Sequence, residues 1–101
     1  MMGLGGGCQQ PLYDWGTYEA SLLRMYTNDD FEPSEEIERL TIEIEKSLEK
    51  GKPVPPGKRL HLGYLNYMTG DTDSCRRWFE AERNAFPESA VFVDGMLGRM
   101  K

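Results

Sequence analysis

Residues 60–89 decide the fold: Leu60-His61-Leu62-Gly63-Tyr64-Leu65-Asn66-Tyr67-Met68-Thr69-Gly70-Asp71-Thr72-Asp73-Ser74-Cys75-Arg76-Arg77-Trp78-Phe79-Glu80-Ala81-Glu82-Arg83-Asn84-Ala85-Phe86-Pro87-Glu88-Ser89. Two helical patterns meet there at a turn. Leu60, Tyr64, Tyr67 and Met68 form the main stripe of a helix that ends before Gly70, with Leu62 and Leu65 widening it. Asp71 or Asp73 caps a following helix to about Asn84, which turns Cys75, Trp78, Phe79 and Ala81 inward. Gly63 lets the facing helix approach closely, and Gly70 supplies a left-handed turn. Cys75 is the small residue at the crossing, Phe79 fills the space between the helices, and Pro87 ends the second one.

Leu62-Gly63, Gly70, Cys75, Phe79 and Pro87 together resemble a tetratricopeptide unit, with its Leu-Gly pair, turn glycine, small residue, aromatic and closing proline. Arg59 stands where that pattern has an early aromatic and Asn66 where it has a tyrosine, so Tyr64 and Tyr67 are the substitutes. A single repeat cannot bury both of its faces, and the remaining helices must cover it.

Upstream, Tyr18, Leu22, Met25 and Tyr26 recur at helical spacing over Thr17–Tyr26. Thr27-Asn28-Asp29-Asp30 interrupts that pattern with side chains that compete for backbone hydrogen bonds. A longer helix over Ser34–Lys50 starts at Pro33-Ser34, shows Ile37, Leu40, Ile44 and Leu48 on one face, and stops at Gly51. Lys52-Pro53-Val54-Pro55-Pro56-Gly57 is a stiff connector, and a third helix follows from Pro56 or Lys58 to Met68. After Pro87, with Ser89 as cap, a last helix carries Val93, Met96, Leu97 and Met100. The reading is all-α, about five helices in tetratricopeptide-like antiparallel pairs, over a single domain at 12–101. The first two helices stack on one side of the central pair and the last covers the other. Were Val93, Met96 and Leu97 left uncovered, that last helix would be a homodimer face.

Twelve basic against 17 acidic residues give a net charge of −5, which argues against a nucleic-acid binder, whose basic stripe must meet phosphates. Acid concentrates at Asp29, Asp30, Glu32, Glu35, Glu36, Glu38, Glu43, Glu45 and Glu49. A solvated helix face explains that run better than a site for a basic partner. Cys8 and Cys75 have no metal spacing and form no disulfide framework. Cys75 reads as a small buried hydrophobe. The only histidine, His61, reads as a polar position at a helix surface or crossing, and the serines lack a nucleophile-elbow context. No catalytic constellation, metal site or cofactor site is expected.

Residues 1–11 read as a flexible leader. Its glycines are no phosphate loop, since neither a Lys-Ser/Thr ending nor a preceding strand is present. Met1-Met2-Gly3-Leu4 carries no charged n-region or apolar h-region, yet small residues before Cys8 are the pattern of a bacterial lipoprotein cleavage site. The leader is therefore either the end of such a signal or a glycine-rich start.

Tyr13-Asp14-Trp15-Gly16-Thr17-Tyr18-Glu19, the Glu-rich helix, Val54-Pro55-Pro56-Gly57, Gly63-Tyr64 and Phe86-Pro87-Glu88-Ser89-Ala90-Val91-Phe92 resemble a small uncharacterised family of Gram-negative lipoproteins that carry a domain of unknown function. The likeness runs from about Pro11 to Met100. It implies lipidation at Cys8, anchorage at the periplasmic face of the outer membrane, and a role accessory to an envelope assembly or secretion complex. Genes for a curli-secretion-channel-like lipoprotein often lie beside members of that family, which implies such a protein as partner. The alternative is a soluble, cytoplasmic tetratricopeptide-like adaptor or self-associating scaffold.

Two surfaces are candidates for protein binding. One is the aromatic cluster Tyr13, Trp15, Tyr18 and Tyr26, which could instead close the first helix onto the core. The other is a groove lined by Tyr64, Tyr67 and Arg77.

Overall fold

The computed structural model of the protein describes residues 15–27 and 30–100. Helices α1 (Tyr18–Thr27), α2 (Pro33–Glu49), α3 (Lys58–Met68), α4 (Thr72–Ala85) and α5 (Ala90–Arg99) follow one another, with a 3₁₀ turn at Pro87–Ser89. No strand occurs among the described residues, and the fold is all-helical as expected. Cys8 and Tyr13 lie outside the described residues.

The helix signals act where chemistry places them, with two exceptions. The Asp71 carboxylate accepts from the Ser74 N–H at 3.0 Å and caps α4. Gly51 and Gly70, at φ +71° and +90°, take the left-handed conformation that ends α2 and turns α3 into α4. Ser34 does not cap α2: the helix starts one residue earlier, at Pro33, which fixes the first turn, and Glu32 stands at the N-cap without a side-chain cap bond. Ser89 does not cap α5 either. Its hydroxyl donates back to the Phe86 carbonyl at 2.7 Å, closing the 3₁₀ turn instead.

Close packing centres on α3. A Cβ on Gly63 would lie 2.6 Å and 2.7 Å from two Phe79 ring carbons and 3.2 Å from the Cys75 carbonyl oxygen. That separation is what lets α4 lie so near. On one side of the α3–α4 pair, Leu40, Ile44, Val54, Leu62 and Leu65 form a core against which Tyr18, Met25, Phe31, Ile37 and Trp78 pack. On the other, Cys75, Phe79 and Val93 meet Leu60, Met96, Leu97 and Met100. The connector contributes too: Val54 and Pro55 are buried.

Two expected faces are corrected. In α3 the inward residues are Lys58, His61, Leu62, Leu65 and Asn66, while Tyr64, Tyr67 and Met68 are 40–45% exposed. The helix is gripped on two sides at once, by α2 and by α4, so a single apolar stripe does not describe it. In α2, Leu48 is exposed and Ser47 is buried, because the chain doubles back over Ser47 and donates from the Lys52 N–H to its carbonyl at 2.9 Å. On α5 the expected stripe faces inward, with Val93 buried and Met96 and Leu97 half-buried, and the exposed apolar residues are Val91 and Phe92.

Candidate docking site

The Trp15–Tyr18 stretch fastens α1 to the body. The Trp15 carbonyl accepts from Lys58 Nζ at 3.2 Å, and Lys58 Nζ also lies 3.0 Å from the Glu43 carboxylate. Gly16 lies directly against that carboxylate, leaving no room for a Cβ. Thr17 donates to Glu43 twice, from its N–H at 3.1 Å and from its hydroxyl at 2.7 Å. These bonds hold Glu43 below the ordinary carboxylate range, although burial works in the other direction. Trp15 stacks on Tyr18, with ring centroids 6.1 Å apart and planes 5° from parallel. The Tyr18 hydroxyl lies over Gly57, 2.7 Å from where a Cβ would be, and Gly57 has φ +92°. A side chain there would clash and be strained.

One turn further on, a second polar cluster holds α1. Glu36 is only 2% exposed and receives Arg24 through both Nε (2.7 Å) and Nη2 (2.8 Å), with Arg39 at 3.1 Å. The paired Arg24 guanidinium, with help from the Ser21 hydroxyl, pulls the Glu36 pKa down to about 2 against the cost of burial. Ser21 Oγ lies 2.8 Å from His61 Nε2. A hydroxyl can donate or accept, so Ser21 can pair with either imidazole tautomer. Burial pushes the His61 pKa down, and Glu36 opposes that in part. The serine sits fully buried between an imidazole and a carboxylate already satisfied by two arginines. That geometry fastens helices and leaves no exposed nucleophile. Glu36 and Glu43 thus belong to these contacts and not to a solvated face.

Above this fastening runs an apolar trough of about 290 Å³. Tyr18, Leu22 and Met25 of α1 form one wall, and Phe92 and Met96 of α5 form the other. Leu60, His61 and Tyr64 of α3 make the floor, with Phe79 below and Gly57 at one end. Tyr64 and Phe92 reach solvent at 40% and 55% exposure. Burial, and then the charge of Glu82, raises the Tyr18 phenol above its ordinary value.

A second cleft of about 390 Å³ lies between α2 and α4, lined by Thr41, Asn66, Ser74, Arg77, Trp78 and Ala81. The expected single groove of Tyr64, Tyr67 and Arg77 is therefore split. Tyr64 lines the trough, Arg77 lines the second cleft, and Tyr67 lines neither. Tyr64 and Asn66 are two residues apart on one helix and face different ways. The aromatic cluster divides as well: Trp15 and Tyr18 stack, while Tyr26 at the far end of α1 is 86% exposed. Sequence reading missed Leu22 and Met25 as trough residues, together with Phe92 and Met96. The i, i+4, i+7 spacing of Tyr18, Leu22 and Met25 was the available signal.

Among the described residues no cluster of histidine, cysteine or carboxylate is placed to hold a metal, and no helix is long and apolar enough to cross a membrane. Cys75 is buried with its thiol 3.5 Å from Met100 Sδ, and burial raises its pKa.

Fold and site define a small all-helical domain with an apolar trough on one face. Over residues 12–96 the chain matches the family described as a domain of unknown function, DUF4810, and it belongs to that family. Comparison with curated proteins and with solved structures gave no match.

Proposed function

We propose that the protein is a non-catalytic protein-interaction module, anchored through lipid on Cys8 to the periplasmic face of the outer membrane and accessory to an envelope assembly or secretion complex. The observation that carries the interaction reading is the trough. It is lined by aromatic and sulfur-bearing side chains of the kinds that dominate binding hot spots, and Tyr64 and Phe92 hold its rim open to solvent. A tetratricopeptide-like arrangement of the α3–α4 pair gives this docking role a rigid base. The Gly5-Gly6-Gly7-Cys8 pattern and the resemblance of the sequence to a family of lipoproteins support the anchor. About seven extended residues separate Cys8 from Trp15, so the tether would hold α1 within about 25 Å of the bilayer.

The test is a photo-crosslinking residue at position 64, expressed in the source cell, followed by membrane fractionation and intact mass of the native protein. A membrane-bound species starting at Cys8 with added acyl mass, crosslinked to an envelope protein such as a curli-secretion-channel-like lipoprotein, is the expected result. An unmodified chain in the soluble fraction would discard the anchor and leave the soluble adaptor or self-associating scaffold.

A further inference from the structure

The cleft between α2 and α4 holds a buried amide whose hydrogen bonds are only half used. Asn66 is 6% exposed and lines that cleft. Its Nδ2 donates to the Leu62 carbonyl at 2.9 Å, one turn back on α3. Its Oδ1 receives no donor among the described residues. The side-chain oxygen that is both sealed and unpartnered there belongs to Glu82, so Asn66 Oδ1 keeps an opening, and the cleft is where an otherwise buried side chain opens. Buried amides in native proteins mostly find partners for both halves.

The rest of the lining says what that partner carries. Arg77 is its one charged residue. It is exposed, and its Nη2 donates to Ser74 Oγ at 3.0 Å. Asp71, the α4 cap, feels its charge but does not line the cleft. A guanidinium pairs best with a carboxylate or a phosphate, and a single one matches the single charge of a carboxylate. Asn66 Oδ1 asks for a neutral N–H, because no carboxylate in the lining would pair an ammonium. Trp78 and Ala81 add apolar surface. The volume, about 390 Å³, lies within the usual range of small-ligand sites. We propose that this cleft binds an N-acylated α-amino acid, its carboxylate on Arg77, its amide N–H on Asn66 Oδ1 and its side chain against Trp78 and Ala81. Free N-acyl amino acids and the C-terminal residue of a polypeptide share this chemistry. The cleft has no lining residue in common with the trough, so the site goes beyond the docking reading and does not depend on it.

The probe is N-acetyl-leucine, titrated into the ¹⁵N-labelled full chain and followed through the Trp78 indole and Asn66 side-chain resonances. Both should shift and saturate. N-acetyl-leucine carboxamide should bind about tenfold more weakly or worse, and Arg77→Gln should bring the two ligands level. The analogue with an ester oxygen in place of the N–H should bind about threefold to tenfold more weakly than the amide, and Asn66→Leu should remove that difference. Arg77 is exposed, so its substitution leaves the packing intact. If Asn66→Leu fails to fold, as read by its thermal melt, the ester comparison on the unaltered chain decides alone. No shift up to about 10 mM ligand, shifts centred on Tyr64 and Phe92 instead, or a carboxamide that binds as well as the acid overturns the proposal. So does a preference for the acid that persists in Arg77→Gln. N-acetyl-dialanyl-leucine separates the two sources: binding tighter than that of N-acetyl-leucine assigns the site to a polypeptide C-terminus, and equal or weaker binding assigns it to a free N-acyl amino acid. Crosslinking at position 64 reports the trough alone, so the two readings fail separately.

Discussion

Replacing Gly63 by alanine tests the central packing argument because two effects of opposite sign compete. In a helix interior, alanine is favoured over glycine by about 0.5–1 kcal/mol. Were α3 free on this face, Gly63→Ala would stabilise the protein. The new methyl would instead lie 2.6 Å from one Phe79 ring carbon and 2.7 Å from another, with the Cys75 carbonyl at 3.2 Å. Phe79 is 2% exposed, so its ring has no vacant space to move into. Overpacking of this kind costs about 1–3 kcal/mol and occasionally more. Since the backbone contact also resists relief, the upper part of that range applies and the net loss should be about 1–2 kcal/mol. For a domain of this size that lowers Tm by roughly 4–16 °C. Gly95 and Gly98 on α5 are internal controls, because a Cβ at either meets nothing within 4 Å. Alanine at each should raise stability by a few tenths to about 1 kcal/mol. Thermal melts followed by circular dichroism, with urea titration for ΔG, read all three. A Gly63→Ala protein as stable as its parent, or more so, would refute the claim that α3 and α4 cross in contact here. Recovery in Gly63→Ala/Phe79→Leu would place the strain on the ring.

Removing Arg24 with alanine leaves the buried Glu36 carboxylate with Arg39 and Ser21 alone, and should cost about 2–4 kcal/mol with faster hydrogen exchange in α1. Exchange in α1 unchanged from the parent would refute the fastening role. Acid should act in two stages. His61, whose pKa is lowered in the fold, makes stability fall as pH drops below its ordinary value of 6.5. Glu36 contributes stability that is present above 4.5 and lost as pH falls toward about 2. Urea titrations across this range should show both stages, and Glu36→Gln should flatten the lower one. Asp71→Ala should lower stability by removing the α4 cap; an unchanged midpoint in urea titration would mean that the Ser74 N–H finds water at no cost.

Apolar spacing and turn chemistry made the helices legible in the sequence. Pro33, Gly51, Gly70, Asp71 and Pro87 are local signals, and local signals do not depend on what lies across the fold. Gly63 and Phe79 were legible for the same reason, since a fixed spacing on two joined helices sets their contact. Burial of polar residues was not legible. Ser21, Glu36, Lys58 and Glu82 are as buried as the leucines of the core, yet hydrophobic pattern assigns each to a surface. What buries them is a partner far along the chain: Lys58 needs Glu43 and the Trp15 carbonyl, and Glu36 needs Arg24. Such pairs have no period. The misplaced stripe on α3 has a related cause, because a helix held between two neighbours shows no single wet face from which to count.

The same polar contacts change what the Trp15-Gly16-Thr17-Tyr18 opening is for. Aromatic residues near the start of a domain invite reading as a binding surface, but here nearly every group in the stretch is already used. The Trp15 carbonyl goes to Lys58, Thr17 goes to Glu43, and Tyr18 lies over Gly57. Of the ten residues of α1 only Ser21 is buried, so the helix holds its place mainly through these directed bonds and the Arg24–Glu36 pair. Directed bonds fix an orientation more tightly than a greasy contact does, since they fail with a small rotation. They therefore set two things at once. One is the position of Trp15 at the start of the described residues; the other is the position of Tyr18, Leu22 and Met25 as a wall of the trough. Loosening Glu43 or Glu36 would leave α3, α4 and α5 packed and still remove that wall. Under the proposed function the tether and the docking face are coupled through α1, and a variant that frees α1 should lose partner binding before it loses its fold.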